Sequence, residues 1–301
     1  MPSQESQQVL EFVKSQYVEL GDEFSFEQIR QGFETSMQAI PIPEGTQVEA
    51  TSAGGVPADW VRMPGVAADR VLLYLHGGAY TLGSARSHRE LAARLSQAAG
   101  VQVLVPTYRL APEHPFPAGL EDALAAYRWL ISSGFEPEHI AIGGDSAGGG
   151  LTLATLLSLR EAGDKLPAAT ILLSPWTDLT SSGDSCNTRA ETDPIIKVKG
   201  AERHIKAYVG EGDRAGLLVS PVFADLHGLP PMLIQVGDYE VLLDDSTRVA
   251  HKVKEAGGEV ELKVWEGMWH VFQASAMMVP EARQAVSELG EFVHKHLFVK
   301  D

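Results

Sequence analysis

The 301-residue chain has a single cysteine, Cys186. No intrachain disulfide can form, and the sequence offers no cysteine-based zinc site. The lone thiol fits a reducing compartment. Basic residues are scarce: 24 Lys and Arg stand against 40 Asp and Glu, a formal net charge of −16. Such a chain gains nothing near phosphate backbones, which argues against a nucleic-acid partner. No apolar stretch approaches the ~20 residues of a membrane helix, so no membrane span is expected. The start, MPSQESQQVLEF, has no basic region and no apolar run. No signal peptide is therefore expected, and the protein reads as cytoplasmic. Internal repeats and low-complexity tracts are also missing. What remains is ordinary globular composition, 44% hydrophobic and 21% charged, enough for one large domain or two small ones.

The chain then alternates. Residues 1–45 are helix-like and acidic, and PIPEG at 41–45 closes them with a linker signal. Strands are expected near 47–53, 58–63, 70–76, 101–106, 139–144, 170–176, 231–237 and 260–265. Helices are expected at 84–100 and near 119–133, 147–162, 244–257 and 281–296. This order predicts an α/β fold with a mostly parallel sheet flanked by helices. The stretch 180–228 lacks a clear buried strand and reads as an insertion over one end of the sheet. Residues 1–45 and 180–228 together are expected to form a helical cap, with 46–301 as the main domain.

GDSAG, residues 144–148, fits Gly-x-Ser-x-Gly. It follows an expected buried strand and opens an expected helix, the context of a nucleophile elbow. A sharp strand-to-helix turn would hold the Ser146 hydroxyl clear of the sheet, with Gly144 and Gly148 small because the backbones pass close there. A serine hydroxyl needs a base, and the base needs an orienting carboxylate. The expected chain order is Ser, acid, His. Of ten histidines, only His270 sits in a loop just past the last strand. The loop after strand 231–237 offers Asp238, Glu240, Asp244 and Asp245, and spacing alone does not choose among them. Asp244 and Asp245 look like solvated residues at a helix start. An oxyanion needs backbone N–H donors; Ala147 supplies one. LHGGAY at 75–80 follows a strand, so Gly77 and Gly78 are expected to supply others, with His76 as that loop's anchor. Tyr80, Trp176, Trp269 and the AMM at 276–278 could line a substrate pocket.

LHGGAY, PTYRLAPEHPFPAGLEDA (106–123), IAIGGDSAGGGLT, LSPWTDLT (173–180), VGDYEVLLDDS (236–246) and the WH at 269–270 resemble the hormone-sensitive-lipase family of α/β-hydrolases, in its bacterial esterase branch. The matches run in order over about residues 70–272. The resemblance implies an α/β-hydrolase fold with an eight-stranded sheet and a helical cap. It implies a serine carboxylesterase acting on short-to-medium acyl esters, with catalytic Ser146, Glu240 and His270 and no metal or organic cofactor. Glu240 takes the acid's register, although Val241 stands where the family has proline. Ala79 replaces the third glycine of the oxyanion loop and is expected to shape the pocket. Arg109 and Glu113 are expected as internal ion-pair partners.

Two other readings stay open. One is the same triad acting on a lactone, an amide or an N-acetyl group. The other is a ligand-binding relative without catalysis, although all three triad positions are filled here. The last strand, VELKVW, is expected to leave one sheet edge open, and pairing of two copies there predicts a homodimer.

Overall fold

The computed structural model describes residues 2–16 and 24–299. Part of the expected N-terminal cap segment, residue 1 and residues 17–23, lies outside them. Eight strands form one sheet. In chain order they are β1 Gln47–Ala53, β2 Val56–Arg62, β3 Ala67–Leu75, β4 Val101–Pro106, β5 Ile140–Asp145, β6 Ala169–Leu173, β7 Met232–Gly237 and β8 Val260–Trp265. Their order in the sheet is β1-β2-β4-β3-β5-β6-β7-β8. β1 and β2 form an antiparallel pair and β2 runs antiparallel to β4, while the pairs from β4 to β8 are parallel.

The helices are α1 Gln4–Gln16, α2 Phe26–Gln38, α3 Arg89–Ala99, α4 Ala118–Ser132, α5 Ala147–Ala162, α6 Ser185–Thr188, α7 Val198–Val209, α8 Leu243–Glu255 and α9 Pro280–Phe298. None of the described helices is long and apolar enough to cross a membrane.

Side chains alternate across a strand, so one buried strand feeds two cores. Leu73 and Leu75 of β3 join Leu130, Leu151 and Val249 of α4, α5 and α8. Leu72 and Tyr74 join Leu95 of α3 and Val286 and Leu289 of α9. β4, β5, β6 and β7 are buried along their whole length. This is why they read as continuous apolar runs.

Two elements end differently from the sequence reading. The strand expected to 176 stops at Leu173, because Ser174 turns left-handed at φ 47° and Pro175 offers no ladder N–H. The helix expected from 84 begins as a short 3-10 turn, Arg86–His88, before α3.

The first two helices lie in different places. The Ser3 hydroxyl donates to Glu281 at the start of α9 over 2.8 Å, and Val9 and Leu10 of α1 enter the α3–α9 core. α2 reaches the insertion between β6 and β7 instead: its Phe26 ring meets His204 of α7 edge-on at 5.6 Å. No strand occurs among the described residues of 180–228.

The α9 layer closes on backbone. A Cβ at Gly290 would collide with the backbone and Cβ of Ala98, which cannot swing aside as the end of a long side chain could. Gly290→Val is expected to destabilise the fold by about 2 kcal/mol or more. Urea unfolding measures it, and a change under ~0.5 kcal/mol would contradict this close approach.

Candidate functional site

Ser146 sits between β5 and α5 with φ 52° and ψ −122°. A non-glycine residue there is strained by about 1–3 kcal/mol and persists only where its surroundings hold it. Here the Ser146 N–H donates to the Leu173 carbonyl at 2.9 Å, and its carbonyl accepts from Gly149 at 3.0 Å and Trp176 at 2.8 Å. The flanking glycines are steric requirements: a Cβ on Gly148 would run into the Leu75 and His76 carbonyls, and one on Gly144 into Leu75 and Gly148 backbone.

Glu240 follows β7 and His270 follows β8. β5, β6, β7 and β8 are parallel neighbours, so Ser146, Glu240 and His270 all leave the same edge of the sheet. His270 Nδ1 lies 2.8 Å from Glu240 Oε2. A carboxylate only accepts, so Nδ1 carries the proton and Nε2 is left as the acceptor. The other carboxylate oxygen, Oε1, accepts from Ser174 Oγ at 2.7 Å and from the Gly237 N–H at 2.6 Å. Ser174 Oγ also accepts from the Val271 N–H at 3.1 Å, so one hydroxyl joins the loops after β6, β7 and β8. Burial works against a charged His270. The Glu240 hydrogen bond and charge, with help from Asp193 and Asp145, outweigh it and raise the imidazole pKa above its ordinary 6.5.

The neighbouring carboxylates are committed elsewhere. Asp238 accepts from the Gly267 N–H at 2.6 Å. Asp244 accepts from Ser185 N–H at 2.8 Å. Asp245 is not solvated: it is buried and accepts from the Thr177 and Asp178 N–H groups. Burial raises its pKa to about 7.

A family model described as the alpha/beta hydrolase fold matches residues 72–274. An acetyl-hydrolase of Streptomyces hygroscopicus is 43% identical over 254 residues, covering 84% of each chain. An esterase of Acinetobacter venetianus is 37% identical, again covering 84% of each. Among solved structures, an esterase from the bacterial hormone-sensitive lipase family is similar with a TM-score of 0.95, at 42% identity and 99% coverage of each chain. EstE5, in a crystal soaked by p-nitrophenyl butyrate, gives 0.95 at 43% identity, covering 99% of this chain and all of the other. The chain belongs to the hormone-sensitive-lipase family of α/β-hydrolases.

In this family member the loop after β3 differs from the sequence expectation. The Gly77 N–H is not an open donor: it is held by Asp145 Oδ1 at 3.0 Å. Asp145 also accepts from the Tyr74 hydroxyl at 2.9 Å and faces His88 Nε2 at 3.4 Å. Burial opposes an ionised Asp145, but His88 and Tyr74 outweigh it and keep its pKa low. Among the described residues the amides of Gly78, Ala79 and Ala147 donate to no protein acceptor. Ala79, read from the sequence as pocket lining, therefore belongs with the open donors in place of Gly77. His76 anchors the loop: its ring stacks on Tyr108 at 4.2 Å and its Nδ1 donates to the Gly77 carbonyl at 2.8 Å. Burial, then the nearby His88, drops the His76 pKa to about 3.

The three aromatic candidates separate. Tyr80 and Trp176 pack together, centroids 6.0 Å apart, in the core on the α5 face. Trp269 is 2% exposed and belongs to the α3–α9 core on the opposite face, so it is a packing residue and not pocket lining. Met277 and Met278 are exposed. Arg109 and Glu113 each form ion pairs, but with other partners. Arg109 bonds Asp122 and Glu121, while Glu113 bonds Arg30 of α2. Sequence reasoning missed Ser174, whose signals were its place at the end of an apolar strand and within LSPWTDLT. It also missed Tyr208 of α7, which stacks on Tyr80 at 3.8 Å and lies in a segment without a motif.

The pairing fixes a titration. His270 is expected to titrate above 6.5 by NMR, and Glu240→Gln to move it down, because burial is then opposed only by the Asp193 and Asp145 charges. Asp238→Asn is expected to leave it in place. A His270 pKa that follows Asp238 would assign the orienting carboxylate to that residue.

Proposed function

We propose that this carboxylesterase hydrolyses short-to-medium acyl esters through an acyl-enzyme on Ser146. The observation that carries the reading is the buried Glu240–His270 pair at 2.8 Å. Held through Nδ1, His270 takes the Ser146 proton at Nε2 as the hydroxyl oxygen attacks the ester carbon. Charge gathering on the carbonyl oxygen is met by the amides of Gly78, Ala79 and Ala147. His270 returns the proton to the leaving alcohol as the ester C–O bond breaks. A water, deprotonated by His270, then attacks the acyl-enzyme, and the acid leaves as Ser146 regains its proton. The steps require no metal or organic cofactor.

The acetyl-hydrolase name of the Streptomyces relative favours a small acyl group, and an acetyl ester or N-acetyl group is the second reading. α2 and the insertion bearing α7 act as the cap over this edge. The lone thiol of Cys186, buried, supports a cytoplasmic location. The open outer edge of β8, with Val264 exposed, supports a homodimer, and a monomer mass by light scattering at micromolar concentration would overturn that assignment.

Ser146→Ala is expected to lose at least ~10³ of kcat with its fold intact; near-normal ester turnover would sink the reading. Glu240→Gln is expected to lose ~10²–10⁴, and Asp238→Asn less than ~10-fold. The base must be unprotonated, so kcat/KM should rise with pH through a midpoint above 6.5. Glu240→Gln should move that midpoint to lower pH. A chain-length series of p-nitrophenyl esters, with a lactone and an amide beside them, reads the substrate class.

A further inference from the structure

The loop after β3 holds an unusual run of backbone. Gly78, Ala79 and Tyr80 have φ of 119°, 52° and 61°. Two of the three are not glycine, and each left-handed residue of that kind costs about 1–2 kcal/mol. Such strain relaxes unless the surroundings over-determine it. Three of the loop's carbonyls are held by other segments or by the loop itself. Gly78 O accepts from the Thr81 N–H at 3.0 Å and the Leu82 N–H at 2.8 Å, and Tyr80 O accepts from the Ala111 N–H at 3.0 Å. Thr81 O accepts from Arg30 Nε of α2 at 2.7 Å. The Thr81 hydroxyl lies 2.6 Å from His204 Nδ1 of α7. Thr81 itself is fully buried.

These contacts close a circuit. Arg30 and Phe26 stand four residues apart, so they share one face of α2. Arg30 reaches Thr81 and also the Ala111 carbonyl at 2.7 Å, holding together the two loops that already bond each other. Phe26 braces the His204 ring edge-on. Arg203 ties the same helices further, with its guanidinium 4.5 Å over the Phe26 ring and 2.6 Å from the Phe24 carbonyl. Burial, with the Arg203 charge, lowers the His204 pKa to about 4. The ring is thus neutral near pH 7, and one hydrogen bond joins it to the Thr81 hydroxyl.

We propose that Thr81 is the junction through which α2 and α7 set the open amides of Gly78 and Ala79, with Arg30 and His204 as positioning residues for ester hydrolysis. The inference rests on the serine-esterase reading. The two segments outside the sheet then do more than cover the site: docking them fixes the donors that meet the transition state. Misplacing such donors by a fraction of an ångström lowers turnover more than it weakens substrate binding.

The test is steady-state kinetics on p-nitrophenyl butyrate, with folding followed by circular dichroism. Loss of turnover in Ser146→Ala is checked first, so that failure of the esterase reading is told apart from failure of this one. Arg30→Gln and Thr81→Val are each expected to cut kcat about 10-fold or more, with KM within about 3-fold. Thr81→Ser should recover most of what Thr81→Val loses. Glu113→Gln removes the ion pair of Arg30 but not its bonds to the two carbonyls, and should stay near wild type. The double variant Arg30→Gln with Thr81→Val should lose less than the product of the single losses. Unchanged kcat in folded Arg30→Gln, a loss carried by KM alone, or losses that simply multiply would each overturn the proposal. Arg30 is partly exposed, so Arg30→Gln decides alone should Thr81→Val not fold.

Discussion

A fully buried carboxylate, that of Glu240, is the constraint on which the site depends. Removing such a charge from water costs several kcal/mol unless it is paired and hydrogen-bonded. Here three groups meet it: Ser174 Oγ, the Gly237 N–H and His270. They come from the loop after β6, the last residue of β7 and the loop after β8, so satisfying one charge fixes three chain segments relative to each other. The same contacts choose the His270 tautomer. The side chain is longer than an aspartate and folds back, with its near oxygen on the amide three residues before it.

Strain gathers on the same edge. Among the described residues, the non-glycine positions at positive φ are Ala79, Tyr80, Ser146, Ser174, Ser181 and Val271. All six lie in loops after β3, β5, β6 or β8. The opposite edge of the sheet needs none. The parallel core absorbs this: β4, β5, β6 and β7 are buried from end to end, and the cores on both faces give the loops a rigid base.

Features written within a few residues were legible in the sequence. The strands are apolar runs, GDSAG encodes its own turn, and chain order singled out His270. The acid stayed open on spacing among four carboxylates; only the family register favoured Glu240. The missed details depend on long-range contacts. Gly77 and Gly78 look alike in sequence, and only the approach of Asp145, 68 residues away, removes one amide and leaves Ala79 as a donor. Asp245 reads as a solvated helix start, yet the segment after β6 buries it. Glu113 finds Arg30, 83 residues away, and no local pattern announces that. Trp269 sits beside His270 in the chain, but successive residues point to different places, and it falls into the opposite core.

The joining of α1 to α9 also bears on how the chain is made. Ser3 and Glu281 are 278 residues apart, and Val9 and Leu10 share a core with Leu289 and Val293. A chain leaves the ribosome N-terminus first. α1 is therefore made long before α9, the helix it docks on. Until α9 emerges, the face of the nascent sheet that carries Leu72, Tyr74 and Val103 lacks its α9 layer. That exposed apolar face is where a growing polypeptide of this kind is most open to chaperones and to aggregation.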